Sequence, residues 1–438
     1  MVPLGPPRPA VREDGCAAVS QGTFIIPKGA RTATATAKFG RWKSRHSISP
    51  EDTRLSQRPP LAIPETSSQA MRILYYYPYY PRPAGGLKQI RLQAELLHQL
   101  GHEVYLVRDA ESVDAPVTFD DNRFYHIDVP QWKEPFSATA AKLSESDILI
   151  LPEYDLKTTL PRCATTKARI VINNQNGFHA LQHAPRDRNL IRRIKLVIAN
   201  SSYNCTVSRL AYQVPAERVF YVPHWIIRDP FLPQHAPGFG AKKPGICFMP
   251  RKRGTLVHQI REKVQSLHPT IPWVEIDNIP ELEVARLMRE YQMFFAAHHQ
   301  EGCPLTALEA MACGSVVAGF GGTERFTHPY ATPGNGYWAD SDNDADSAIR
   351  RVSEMIRDVQ SDPVRIQSLL AQSLVTIEPY SKPRVLAGLT RLLDGLAVIA
   401  SGKDISPRLR HLRGPPLSEE RWRLRDWLFS HRKRLQAR

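Results

Sequence analysis

Between residues 71 and 107 the chain reads strand, glycine loop, helix, glycine, strand, and few folds accommodate that order. MRILYYY (71–77) has the make-up of a buried strand, and YPRPAGG (80–86) that of a loop. From Leu87 the apolar residues Ile90, Ala94, Leu97 and Leu100 recur at helical spacing, Gly101 stops the helix, and HEVYLV (102–107) is a second strand. This is one βαβ unit. The rhythm continues through the apolar runs 147–151, 169–173, 196–200 and 218–223. A helix over 201–212 has Ser201 or Ser202 as its N-cap. Residues 228–245 then hold four prolines and three glycines, which predicts a linker. A second series follows, with strands at 245–250, 273–276, 292–297 and 315–320. Helices are expected near 254–266, 281–290, 304–313, 344–359, 363–375 and 382–398.

The chain of 438 residues therefore divides into an extension (1–70), a Rossmann-like domain (71–227), a linker (228–245), a second such domain (246–400) and a tail (401–438). The expected class is α/β, two facing Rossmann-like domains with parallel sheets. Residues 1–70 lack periodicity and bury too little apolar surface to offset chain entropy, so they are expected to be disordered.

Charge narrows the function classes. The net charge is +15, but residues 1–70 carry +5 and residues 401–438 carry +7, which leaves +3 for everything between. A DNA groove across the folded body is poorly supported, and no nucleic-acid partner is expected. Six scattered cysteines without a CxxC pair suggest neither a disulfide framework nor a zinc site. With no apolar run of spanning length and no signal-peptide core, a cytoplasmic location is expected.

The chemistry concentrates in Glu301-Gly302-Cys303-Pro304-Leu305-Thr306 and, further on, Glu309. One carboxylate falls at a strand's C-terminal end and the other two turns into the next helix. Ligands of open α/β sheets bind at that end of the strands. A helix start near Pro304 offers free N–H groups and positive potential, a seat for a diphosphate. A carboxylate before such a helix can accept sugar hydroxyls, and one inside it a ribose diol. The bland reading makes Glu301 a surface charge and Glu309 the partner of an arginine; the strand–loop–helix context favours function.

The string E-G-x-P-L-x-x-L-E-A-M-A-C-G resembles the EX7E signature of the retaining GT-B glycosyltransferases, the GT4 or glycosyl transferases group 1 class. Gly85 and Gly86 resemble the glycine loop of that class's acceptor domain, and 197–204 with 219–225 resemble the end of that domain. The resemblance covers about residues 71–398 and is sharpest over 297–322. It implies a nucleotide-diphosphate sugar as donor substrate, sugar transfer with retention, and no cofactor or required metal. It assigns donor contacts to Gly85, Gly86, Gly302, Cys303, Pro304, Leu305, Thr306 and Glu309. Arg251, Lys252 and Arg253 follow the first strand of the second domain, where the class places a spaced Arg and Lys; here the three are contiguous. Arg251 and Lys252 are the favoured phosphate clamp, with Arg253 as a further donor contact. Arg251 and Lys252 together with Glu301 and, from the acceptor side, Gln175 and Asn176 form the expected catalytic set.

On the acceptor side the strand ending INNQNGFHAL (172–181) offers Asn174, Gln175, Asn176 and His179 for a position that many class members fill with histidine. Gln175 and Asn176 are the better positional matches. Glu153, just past another strand, has an acceptor contact or a surface role open to it. The acidic run Asp340–Asp346 mimics a metal motif but lacks the glycine and glutamate of a calcium loop, so it reads as the cap of the helix after it. The tail RWRLRDWLFSHRKRLQAR (421–438) fits either peripheral contact with an anionic membrane or packing on the first domain. The acceptor implied is a glycan or a lipid-linked sugar, in polysaccharide biosynthesis. A sugar-nucleotide epimerase on the same architecture, or a nucleic-acid binder working through the tails, are the competing classes.

Overall fold

The computed structural model describes residues 70–80, 84–110, 129–322 and 330–401. All but one residue of the expected N-terminal extension, and of the basic tail, lie outside these.

The first lobe begins with β1 (Arg72–Tyr76), α1 (Gly85–Gln99) and β2 (Glu103–Val107), the βαβ unit read from the sequence. Next come α2 (Phe136–Lys142), β3 (Ile148–Pro152), α3 (Leu156–Arg162), β4 (Arg169–Asn174), α4 (Gly177–His183) and α5 (Arg188–Arg192). The lobe's sheet closes with β5 (Ile194–Ala199), α6 (Ser202–Ala211) and β6 (Val219–Tyr221). Gly101, at φ +87°, ends α1 in the left-handed region that glycine tolerates. Ser201 caps α6, its hydroxyl accepting the Asn204 N–H at 3.1 Å. The six strands are parallel in the order β2-β1-β3-β4-β5-β6. Alternate residues feed opposite faces: Ile73, Tyr75, Ile148 and Ile150 enter one cluster, Leu74, Tyr76, Leu149 and Leu151 the other. Burial on both faces explains strands that are apolar throughout rather than alternating.

The second lobe comprises β7 (Lys243–Phe248), α7 (Gly254–Leu267), β8 (Trp273–Glu275), α8 (Glu281–Glu290) and β9 (Tyr291–His298). It continues with α9 (Leu305–Ala312), β10 (Val316–Gly321), β11 (Tyr337–Trp338), α10 (Ala345–Ser361) and α11 (Pro363–Ile377). Its parallel order, β11-β10-β9-β7-β8, places the strands of the two lobes in the same succession: second, first, third, fourth, fifth. In each sheet the winding reverses between the first and third strands.

One boundary needs correction. The last helix, α12 (Lys382–Ala400), follows the second lobe in sequence and was expected to belong to it, within 246–400. Instead Val385, Leu389, Leu392, Leu393 and Leu396 are buried in the first-lobe cluster with Ile73, Ile90, Leu196 and Phe220. Its glycines explain the fit: a Cβ on Gly388 would stand 3.0 Å from the Tyr221 carbonyl, and one on Gly395 would collide with the Phe220 ring. Each glycine costs about 1 kcal/mol of helix propensity and permits close approach to β6. The chain thus passes between the lobes twice. The passages touch, for the N–H groups of Ile226 and Ile227 both donate to the Tyr380 carbonyl, at 3.0 and 3.2 Å. The expected linker, 228–245, also overruns by three residues into β7.

Candidate functional site

Both winding reversals open onto one cavity of about 400 Å³. From the first lobe come the segments after β1, β3 and β4; from the second, the segments after β7 and β9. A crevice outside the C-terminal strand ends, at the point of reversal, is where parallel sheets bind ligands.

The second-lobe half carries positive charge. Arg251 and Lys252 are the only lysine or arginine on the cavity wall among the described residues. Lys252 forms an ion pair with Glu301, which is mostly buried. Burial would raise the Glu301 carboxyl, but Lys252 and the neighbouring histidines hold it below the usual range, so it is an anion at neutral pH. Its loop is fixed on both sides. The Glu301 N–H donates to the Gly322 carbonyl at 2.8 Å, and the Gly322 N–H to Asp342 Oδ1 at 3.0 Å. Gln300 adopts φ +51°, a left-handed conformation that costs a non-glycine residue about 1–2 kcal/mol and turns the chain sharply before Glu301. Gly302 meets the opposite lobe: a Cβ there would lie 2.5 Å from the Gln175 carbonyl and would overlap the Asn204 amide. Pro304 immediately precedes α9, and Cys303, Leu305 and Thr306 line the cavity where that helix begins. His298 faces Thr306 Oγ1 at 2.8 Å, and burial pushes its imidazole down to about 4, so it is neutral.

The first-lobe half is built from Gly85 and Gly86 at the start of α1, and from Glu153, Gln175, Asn176 and His179. Gln175 Nε2 donates to the Gly86 carbonyl at 3.0 Å, while the Gln175 backbone carbonyl accepts the Asn200 and Asn204 side-chain amides, both at 2.9 Å. Asn176 caps α4 through Oδ1 and reaches across the cleft, Nδ2 donating to the Gln300 carbonyl at 2.9 Å. Glu153 is buried after β3. Burial pushes its carboxyl up to about 7, held back only in part by backbone hydrogen bonds from Gln175, Glu153 and Asn176. His179 Nδ1 lies 3.8 Å from Glu153 Oε1. Asn174 points away into the lobe, its amide donating to Ser208 Oγ at 2.7 Å.

No family model matches the chain. An alpha-1,6-glucosyltransferase of Actinobacillus pleuropneumoniae serotype 7 is 29% identical over 195 residues, 41% of this chain and 54% of that protein. The match therefore spans about half the length of that relative. A glycosyltransferase from Rickettsia africae superposes with a TM-score of 0.54 at 14% identity, over 75% of this chain and 99% of that one. Sucrose-phosphate synthase from Thermosynechococcus elongatus gives 0.52 at 12%, over 76% and 100%. An alpha-glucosyltransferase solved with UDP and a 13-mer DNA gives 0.50 at 14%, over 75% and 100%. At these identities the structures speak to architecture, and together with the two matched sheets they decide it. The chain has the GT-B fold.

Within the GT-B cleft, four expected donor contacts stand off the cavity wall: Gly302 and Pro304, which flank Cys303, and Glu309 and Arg253. Glu309 lies inside α9 as expected, but it is buried and does not face the cavity. Its carboxylate takes the Lys88 ammonium of α1, in the opposite lobe, at 2.5 Å. Lys88 also bonds Glu281 at 2.6 Å, and Arg228 reaches Glu281 at 2.6 Å. Burial would raise the Glu281 carboxyl, but Lys88 and Arg228 hold it well below the usual range. Two cations and two anions thus form a buried seam across the lobes. Arg253 is also off the cavity wall. Its guanidinium stacks over the Phe320 ring, 4.6 Å from the centroid, and donates to the Asp342 carbonyl and, at 3.3 Å, to Asn343. Among three contiguous cations, only the two before the helix face the cleft, because Arg253 is already the residue that opens α7.

In the acidic run, Asp344 caps α10 through the Ser347 N–H at 2.8 Å, and Asp340 lies 3.6 Å from Arg350. Among the described residues no cluster of three His, Cys, Asp or Glu could hold a metal ion, and no helix is long and apolar enough to cross a membrane. Sequence reasoning missed Lys88, whose position on α1 carries no local signal, and the buried His224 on the cavity wall.

Proposed function

We propose that the protein is a glycosyltransferase, of the retaining GT4 type, that moves a sugar from a nucleoside-diphosphate donor to a hydroxyl of a glycan or lipid-linked acceptor in polysaccharide biosynthesis. The observation that carries this reading is the charge distribution of one cavity: Arg251, Lys252 and the start of α9 at one switch point, Gly85 and Gly86 at the other. Cations beside a helix N-terminus suit a diphosphate and the negative charge that grows on it as it leaves. Glu301, held ionised, accepts hydroxyls of the transferred sugar. The acceptor oxygen bonds to the anomeric carbon as the carbon–oxygen bond to the diphosphate breaks, and the hydroxyl proton leaves on the nucleoside diphosphate. With attack on the leaving group's face this requires positioning rather than a protein nucleophile. The partial match to an alpha-1,6-glucosyltransferase supports glucose as the sugar to try first. A cytoplasmic site of action, with peripheral contact to the inner membrane face through residues 421–438, completes the proposal.

The experiment is thermal unfolding with UDP, ADP and GDP, followed by incubation with the matching nucleotide sugar. One nucleotide at about 100 times its dissociation constant should add about 2.7 kcal/mol of stability. Both binding and sugar turnover should survive excess EDTA, because the seat carries its own cations. Stabilisation by none of the three would sink the donor assignment; loss in EDTA restored by manganese would sink the metal-free mechanism.

A further inference from the structure

The donor reading uses Gly85 and Gly86 but leaves the rest of the first-lobe wall without an occupant. Among the described residues the exposed large aromatics are three tyrosines: Tyr79 at 51%, Tyr80 at 44% and Tyr154 at 38%. All three follow β1 or β3, the pair of strands where the first sheet reverses its winding. Every other exposed large apolar residue among the described ones is aliphatic and belongs to the second lobe. Aromatic rings are costly to leave in water, and two of them exposed on one cavity wall mark a surface that a ligand can cover. Tyr80 and Tyr154 stand on the wall of the same cavity as Glu153, Gln175 and Asn176.

Two polar groups of the same wall offer acceptors. Glu153 offers carboxyl oxygens, and Gln175 Oε1 is a buried acceptor with no hydrogen-bond donor, although Nε2 of the same amide is bonded to Gly86. A buried acceptor left unpaired costs about 1–3 kcal/mol, which a ligand's donor would recover. No lysine or arginine lines this half, since Arg251 and Lys252 both come from the second lobe. A phosphate headgroup would find no counter-charge here. A sugar ring presents an apolar C–H face to an aromatic ring and hydroxyl donors around its edge.

We propose that the first-lobe half of the cavity is a carbohydrate subsite, in which Tyr80 and Tyr154 stack on sugar rings of the acceptor while Glu153 and Gln175 Oε1 accept its hydroxyls. This rests on the transferase reading in one respect only, that the occupant is an acceptor. The reading there left a glycan and a lipid-linked acceptor side by side; the subsite commits to the sugar portion as what is recognised. Glu153 thereby touches the acceptor, and His179, 3.8 Å away and half exposed, stands beside that contact.

The test uses the full-length protein and binding without donor. Maltotriose, cellotriose and chitotriose are titrated by calorimetry, with phosphatidylglycerol vesicles as a separate arm and UDP as the control ligand. At least one trisaccharide should bind. Tyr154→Ala and Tyr80→Ala should each weaken it at least tenfold, Tyr154→Phe less than threefold, and Glu153→Gln at least fivefold, with UDP affinity within twofold throughout. Tyr154 is exposed, so its loss does not threaten folding. The proposal is overturned if no trisaccharide binds, if removing both rings leaves binding unchanged, or if vesicles bind through these tyrosines in place of sugars. UDP binding without trisaccharide binding would refute the subsite and spare the donor site. Trisaccharide binding without UDP binding would do the reverse.

Discussion

The two lobes share a strand succession and a place where the winding reverses, yet they put opposite chemistry there. After its first strand the second lobe carries Arg251 and Lys252, and after its third, Glu301 held ionised by Lys252. The first lobe carries a glycine pair after its first strand and, after its third, Glu153 with its carboxyl pushed up to about 7. One half is a fixed arrangement of full charges; the other is a wall of rings, amides and a carboxyl that burial keeps near the point of protonation. Sheet topology decides where a ligand goes, and the few residues after each strand decide which ligand.

The comparison breaks most heavily at the seam between the halves. Glu281→Ala removes the carboxylate that Lys88 and Arg228 share and leaves only Lys88 on Glu309, and removal of one partner from such a buried cluster costs about 3–5 kcal/mol. Chemical denaturation should show that loss; a change under 1 kcal/mol would mean the seam is hydrated and weak. Next in size, Arg251→Ala with Lys252→Ala should lower turnover by about 10²–10³, or about 3–4 kcal/mol, and affect sugar affinity much less. Equal losses in kcat and in donor affinity would recast the pair as ground-state ligands.

Protonation sharpens the contrast further. Because the folded pKa of Glu153 is raised, its burial is best tolerated below the unfolded value near 4.5, and stability falls as pH rises from there through about 7. Glu153→Gln should remove this slope. Its unfolding free energy should gain on the wild type by about 2–3 kcal/mol between pH 4.5 and 8, and parallel curves would place the carboxyl in water. The smallest effect belongs to Asp340→Asn. Its longest-reaching contacts are exposed pairs with Arg350 and Arg351, so melting should shift by no more than about 0.5 kcal/mol.

How much of this was legible depended on the range over which each feature is specified. Glu301 could be read because strand, loop and helix lie within a dozen residues of it. Gly302 fell in the same motif, though the reason for glycine, the Gln175 carbonyl of the other lobe, is not in the motif at all. Glu309 is legible as a carboxylate inside the helix after the loop, but not as the partner of Lys88, which lies 221 residues away in sequence. The same limit misplaced α12: its apolar stripe predicts burial but does not say against which lobe. The helices α2, α3, α4 and α5 span at most seven residues each, too few turns for a period to register, and α3 even contains Pro161.

The return of α12 has a mechanical consequence. The outgoing and returning strands of the chain run side by side, stitched by two hydrogen bonds to a single carbonyl, that of Tyr380. Two separated tethers would let one lobe twist freely on the other or would clamp it in place. Two adjacent ones act as a single pivot near Tyr380, and a swing about it must part the Lys88–Glu309 and Asn176–Gln300 contacts that bridge the lobes. Opening the cleft is then a swing about that pivot, and the rim opposite Tyr380 travels farthest.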